Sequence, residues 1–259
     1  EKGKYNILNF KLYYIIQGSI MYIIKRKRIS LILIALMLGI FVYSYENQKL
    51  NTDEQTQSTT ATPVSGKVIV VDAGHGVPDE GAQSSRGTTE AETNLKISLK
   101  LQNLLEQSGC TVILTRSDEN AIYDLDKTTL REKKISDIRN RVKIGNNASA
   151  DLFVSIHLNK IPQQQYWGWQ CFYNSKNEKS VNLAKKIQAN LNESIQKDNK
   201  RVAMKLDTVY IMKHVEIPIS IVECGFLSNP EEEQQLLDDE YQNKLAWGIF
   251  NGIIEYFNE

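Results

Sequence analysis

Net charge is missing from this chain: 31 lysines and arginines face 31 aspartates and glutamates over 259 residues. A balanced chain has no field with which to gather a polyanion, so nucleic acid is not an expected partner. Cysteine is scarce as well. The three present, Cys110, Cys171 and Cys224, form an odd set without C-x-x-C spacing. That excludes the disulfide framework of a small secreted domain and leaves room for one bridge at most. Cys110 opens the apolar run CTVIL and reads as a small buried residue. There is no internal repeat, and no second module is expected beyond the last helical pattern, so location must come from the N-terminal segment.

That segment has a recognisable order. Its first stretch, EKGKYNILNFKLYYIIQGSI, lacks caps, periodicity and turn chemistry and reads as an upstream extension, with Met21 as the start of the functional chain. A basic cluster, Lys25 to Arg28, then leads into the apolar run Leu31 to Tyr43, the order of an export signal. No small-residue A-x-A site precedes Glu46. The run is therefore expected to serve as a signal or short membrane anchor, although a full span takes about 20 apolar residues. The positive-inside rule puts the basic cluster in the cytoplasm and everything after Glu46 outside. Residues 1–45 are thus expected to be extension and anchor, and 46–66, rich in Asn, Gln, Thr and Ser, a polar linker. Residues 67–259 are expected to form one globular domain.

Within that domain, strand and helix patterns alternate. KVIVVD (Lys67 to Asp72) is a β-branched run that reads as a strand buried on both faces. Leu95, Leu99, Leu101, Leu104 and Leu105 recur near the helical period, and Gly109 supplies a stop. Further strands are predicted at Cys110 to Thr115, Leu152 to His157, Gly168 to Tyr173, Val209 to Met212 and Ile219 to Cys224. Further helices are predicted around Ile135 to Ile144, Ser180 to Gln196, after Asn229-Pro230, and from Tyr241 to Phe257. The expectation is an α/β fold, a mixed and mostly parallel central sheet flanked by helices, with its ligand beyond the carboxyl ends of strands.

Polar residues gather at those strand ends. The loop DAGHG follows the first strand and carries His75 between two glycines, which allow a tight turn and close approach of a ligand. His157 ends the apolar run LFVSIH, and Glu223 interrupts the apolar strand IVECGF. Two histidines leave a borderline cation short of a third protein ligand. Glu90 and Glu92, in GTTEAETNL, compete to supply it or to cap a helix N-terminus. Two His and one Glu with an open fourth position is a known catalytic zinc arrangement. A carboxylate placed like Glu223 has its charged form disfavoured, which suits it to proton transfer.

Taken together, DAGHG, GTTEAETNL, ADLFVSIHLN and VECGFLSN resemble the zinc-dependent N-acetylmuramoyl-L-alanine amidases, and most closely the germination-specific amidase of spore formers. The resemblance runs from about Lys67 to Phe257. It implies that His75, Glu90 and His157 bind zinc and that Glu223 is the catalytic carboxylate, and it favours Glu90 over Glu92 because Glu90 stands four residues before Asn94. It also implies a peptidoglycan substrate in spore cortex, cut between muramic acid and L-alanine ahead of muramic lactam formation. An accessory activating protein belongs to the same expectation. The chain departs from the family in carrying Ile211-Met212-Lys213 where a leucine-arginine pair often stands.

Rival readings carry their own residues. Cys224 is a candidate nucleophile served by His157 or His214, but it is adjacent to Glu223, so the two should face opposite sides of the sheet. His214 competes with Glu90 as third ligand from a loop-like setting. Tyr166, Trp167 and Trp169 offer either a sugar-binding platform or plain packing, and Arg86 lies where it can meet substrate. From another class, the chain reads as a tethered, non-catalytic module that binds wall fragments or a partner protein.

Overall fold

The structure, a computed structural model, describes residues 36–44 and 62–259. The expected extension, Met21, the basic cluster and linker residues 46–61 lie outside the described residues. Of the apolar run, residues 36–44 form helix α1, with exposed side chains. Among the described residues, no helix is long and apolar enough to cross a membrane.

The turn at residues 62–66, which falls within the expected linker, docks on the globular unit through Val64. That residue is fully buried, and Gly66 N donates to Gly109 O at 2.8 Å while Thr62 Oγ1 donates to Ser108 O at 2.6 Å. A single apolar residue inside a polar stretch is invisible to averaged composition but sufficient to dock a turn.

Six strands, β1 (Val68–Ala73), β2 (Thr111–Leu114), β3 (Leu152–Asn159), β4 (Gln170–Tyr173), β5 (Met204–Lys205) and β6 (Ile219–Phe226), make one sheet in the order β2-β1-β3-β6-β4-β5. Pairing is parallel except between β4 and β6. The sheet is thus mixed and mostly parallel, as the sequence leads one to expect. On one face lie α2 (Glu90–Gln107), α4 (Glu178–Ile195) and α7 (Asp239–Phe257), whose Leu101, Ile187 and Ile249 join Ile69 and Val71 of β1 in the larger core. On the other face, α3 (Leu130–Asn147) and α5 (Tyr210–His214) cover Val70, Phe153 and Ile221. Helix α6 (Pro230–Leu237) opens on Asn229, whose side chain caps it.

Helix α5 corrects an expectation, because Val209 to Met212 was read as a strand. Lys213 N donates to Val209 O and Val215 N to Ile211 O, which is helical pairing, and Met212 and Val215, one turn apart, are both buried. The β-branched composition of the segment yields to the need to seat those two side chains against Phe153. The edge of the sheet is completed instead by Met204–Lys205, too short to show a period.

Side chains alternate along a strand, so Val70 and Asp72 share a face, as do Phe153, Ser155 and His157, and Ile219, Ile221 and Glu223. On the α3 side each strand is therefore apolar at its beginning and polar at its carboxyl end. The register pairs Asp72 with Ser155 and His157 with Glu223. The site lies where this change occurs.

Candidate active site

The loop after β1 is held by its carbonyls. Arg141 Nη1 donates to Ala73 O (2.7 Å) and Nη2 to His75 O (2.6 Å), while Arg116 reaches Ala73 O (2.8 Å) and Gly74 O (3.0 Å). These clamps keep His75 at φ +63°, a left-handed conformation that costs a non-glycine residue on the order of 1 kcal/mol or more. Gly74 is required for closeness. A Cβ there would fall 2.4 Å from the His157 ring.

Three donor-bearing side chains converge on this loop. Glu90, the first residue of α2, has Oε1 2.9 Å from His157 Nδ1 and 3.3 Å from His75 Nε2. One ligand atom from each of His75, Glu90 and His157 lies within 4.8 Å of the others. Glu90 is aimed by the backbone, since Leu158 N donates to its Oε1 (3.1 Å) and Ala82 N to its Oε2 (2.8 Å). On the far side of His75, Nδ1 lies 3.2 Å from Asp79 Oδ2, and Lys134 Nζ lies 3.0 Å from the same oxygen. Burial opposes charge on both members of the His75–Glu90 pair. Hydrogen bonds to Asp79 and Glu90 outweigh it and raise His75 to about 9, while the two imidazoles hold the Glu90 carboxyl far below the usual range.

Glu223 stands next to His157 across the β3–β6 register. Its Oε2 is sealed from solvent with no hydrogen-bond partner. Burial pushes its carboxyl up to about 7, reinforced by the charge of Glu90 and only partly offset by His157 and His75. The four side chains can bind a cation and move a proton beside it. His75, His157 and Glu223 line one cleft together with Lys134 and Ile138 of α3 and with Val209, Tyr210 and Ile211.

Sequence reading missed the scaffold beneath. Asp72 is buried and accepts from Arg141 Nη1 (2.6 Å), Thr115 Oγ1 (2.7 Å) and Ser155 Oγ (2.6 Å). Desolvation works against its charge, but Arg141 and the two hydroxyls keep its carboxyl below the usual range. Arg141 also pairs with Asp137, four residues earlier on α3. That spacing, together with an aspartate ending an apolar strand, was the available signal.

The other candidates lie apart from the cluster. Glu92 is solvent-facing and pairs with Lys96. His214 is exposed, stacked on Tyr210 with Nδ1 2.8 Å from Tyr210 O. Cys224 is buried in the larger core, on the sheet face opposite Glu223, and burial holds its thiol well above the ordinary value. All three cysteines are free, and Cys110 is buried as expected. Trp169 is a core residue with no exposed surface, its Nε1 donating to Asn192 Oδ1, which removes it from any sugar platform. Trp167 packs partly against that core under Lys197, and Tyr166 remains exposed. Arg86 is half exposed and lies 3.9 Å from Glu233.

A family model described as N-acetylmuramoyl-L-alanine amidase matches residues 69–255. The chain is 34% identical over 234 residues to the germination-specific N-acetylmuramoyl-L-alanine amidase of Bacillus subtilis, a match spanning 90% of this chain and 97% of that relative. Among solved structures, the CwlD amidase of Clostridioides difficile in complex with the GerS lipoprotein superposes with a TM-score of 0.73 at 42% identity, over 74% of this chain and 99% of that one. The catalytic domain of CwlV, from Bacillus (Paenibacillus) polymyxa, does so with a TM-score of 0.64 at 31% identity, over 74% and 98%.

Proposed function

The chain belongs to the N-acetylmuramoyl-L-alanine amidase family and is a peptidoglycan amide hydrolase, and from that premise we propose that it cuts the bond between muramic acid and L-alanine in spore cortex, with zinc held by His75, Glu90 and His157 and Glu223 as general base. The donor set supports this metal, because two imidazole nitrogens and one carboxylate oxygen converging on one point suit zinc with an open position for water. When bound, zinc makes water more acidic and polarises the scissile carbonyl. Glu223 takes a proton from the attacking water as the oxygen adds to the lactyl carbonyl carbon. The same carboxyl then returns that proton to the departing nitrogen as the C–N bond breaks, and the remaining water proton passes from the new acid to the amine, leaving a lactyl carboxylate on the sugar and an ammonium group on L-alanine. The clamped loop holds His75 and the pairing of β3 with β6 holds His157 in place throughout, and no covalent enzyme intermediate is required.

The observation that carries this reading is Glu223: an unpartnered, sealed carboxylate oxygen on the strand position next to His157. Stability alone does not account for such a group, whereas proton transfer near neutral pH does. The test compares zinc content and wall-fragment products of the unaltered protein and Glu223→Gln. Unchanged zinc with lost turnover supports the assignment; unimpaired turnover removes Glu223 from it. Binding of wall fragments without new alanine amino groups in the unaltered protein would favour the non-catalytic module. By likeness to CwlD, solved with a lipoprotein, an accessory activating protein is part of the proposal. So is export, with residues 1–45 as signal or anchor and the catalytic unit outside the cytoplasmic membrane.

A further inference from the structure

We propose that Asp79 is a positioning residue for His75, fixing the ring so that Nδ1–H points away from the cleft and the Nε2 lone pair toward Glu90 and His157. The inference rests on the reading that these three side chains hold a divalent cation. His157 belongs to β3, whose pairing with β1 and β6 fixes its backbone on both sides. His75 has no such frame. It sits in a loop, and nothing in the clamps on the Ala73, Gly74 and His75 carbonyls restrains rotation of its imidazole.

Asp79 supplies that restraint. Its Oδ2 lies 3.2 Å from His75 Nδ1, while Nε2, at the opposite end of the ring, lies 3.3 Å from Glu90 Oε1. The acceptor is itself held. Gly76 N donates to Asp79 O (3.0 Å) and Asp79 N to Gly76 O (2.8 Å), closing the loop on itself, and Lys134 Nζ approaches Oδ2 at 3.0 Å from α3. Backbone pairing with Gly76 thus fixes Asp79 within the loop, and its Oδ2 is shared between Lys134 of α3 and the His75 imidazole. A ring nitrogen that donates to a fixed carboxylate leaves the other nitrogen free to ligate, and loss of such an outer partner costs about 10–100-fold in metal affinity.

The test uses the full chain. Zinc affinity is measured by competition with a chromophoric chelator for the unaltered protein, His157→Ala, Asp79→Ala, Asp79→Asn and Lys134→Met. The tautomer of His75 in the zinc-free protein is read from its imidazole 15N shifts above the raised value of about 9, where the ring is neutral, with thermal melting of the same samples. Asp79→Ala is expected to bind zinc about 10–100-fold more weakly, with metal-free melting unchanged and both His75 tautomers populated. Asp79→Asn, which keeps an acceptor oxygen, should recover much of the affinity, and Lys134→Met should show a smaller loss than Asp79→Ala. Zinc binding by Asp79→Ala equal to that of the unaltered protein overturns the proposal. So does an affinity loss that Asp79→Asn fails to rescue, or one matched by a fall in metal-free melting temperature in both Asp79 variants. Failure of the unaltered protein to bind zinc, or unweakened binding by His157→Ala, speaks against the metal site itself. Even then the tautomer decides for Asp79, since a single unaltered tautomer in Asp79→Ala rejects its role regardless of zinc.

Discussion

Two carboxylates end strands on the same face of this sheet, one on each side of β3, and they are treated in opposite ways. Asp72 has an arginine and two hydroxyls within 2.7 Å and its proton affinity is lowered. Glu223 has one oxygen with no partner, and its carboxyl is raised to about 7. Both lie on a mostly apolar strand, Asp72 buried and Glu223 half-buried with one oxygen sealed, so burial, the greater at Asp72, does not explain the difference. The partner inventory does: three donors make Asp72 a permanent anion that fixes the loop, whereas Glu223 is left able to exchange a proton.

The largest expected effect breaks the reactive member. Glu223→Gln keeps the shape and removes the base, so turnover on wall fragments should fall about 10²–10⁴-fold while melting temperature and zinc content hold. Next comes the structural member. Arg141→Met leaves Asp72 charged, buried and short of its main partner, a loss expected to cost about 3–5 kcal/mol in urea unfolding. Adding Asp72→Asn to that variant should return part of the loss, because the orphaned charge is then gone. Full additivity of the two substitutions would mean that the pair is not coupled.

The comparison also has a pH signature of opposite sign. The Glu223 carboxyl is raised in the fold, so its contribution to stability is fully present below the ordinary value of 4.5 and is lost as pH rises through about 7. That of Asp72 is lowered, so its contribution is present above the ordinary value of 3.8 and is lost as pH falls through the lowered value. In metal-free protein, Glu223→Gln should therefore gain stability over the unaltered chain on going from pH 5 to pH 8, as read from the difference between their two unfolding curves. Parallel curves across that range would show that Glu223 does not titrate there.

Legibility in the sequence followed the same division. The candidate cluster is legible because His75, Glu90, His157 and Glu223 each sit in a short string whose neighbours mark a strand end or helix start; the first three converge in space, and Glu223 pairs with His157 in the sheet register. The strands of the central sheet were readable as apolar runs for the related reason that both their faces are buried. What was not readable depends on contacts between distant segments. Arg141 is an ordinary helical arginine until it meets Asp72, and Asp79 an ordinary loop aspartate until it meets His75. Helix α5 and the docked turn at Val64 likewise follow from cavities that only the assembled sheet creates.

The smallest expected effect comes from the residue beside Glu223. Cys224 follows it on β6, so alternation sends its side chain to the other face, into the larger core and away from His157. A thiol there has no base in reach, and burial holds it protonated, so it cannot serve as a nucleophile. Cys224→Ser should leave turnover unchanged and lower stability by about 1–3 kcal/mol, the cost of placing a hydroxyl in an apolar site. Lost turnover with an intact fold would contradict the assignment of the two faces, because the reactive group would then lie one residue further along the strand and on its other side.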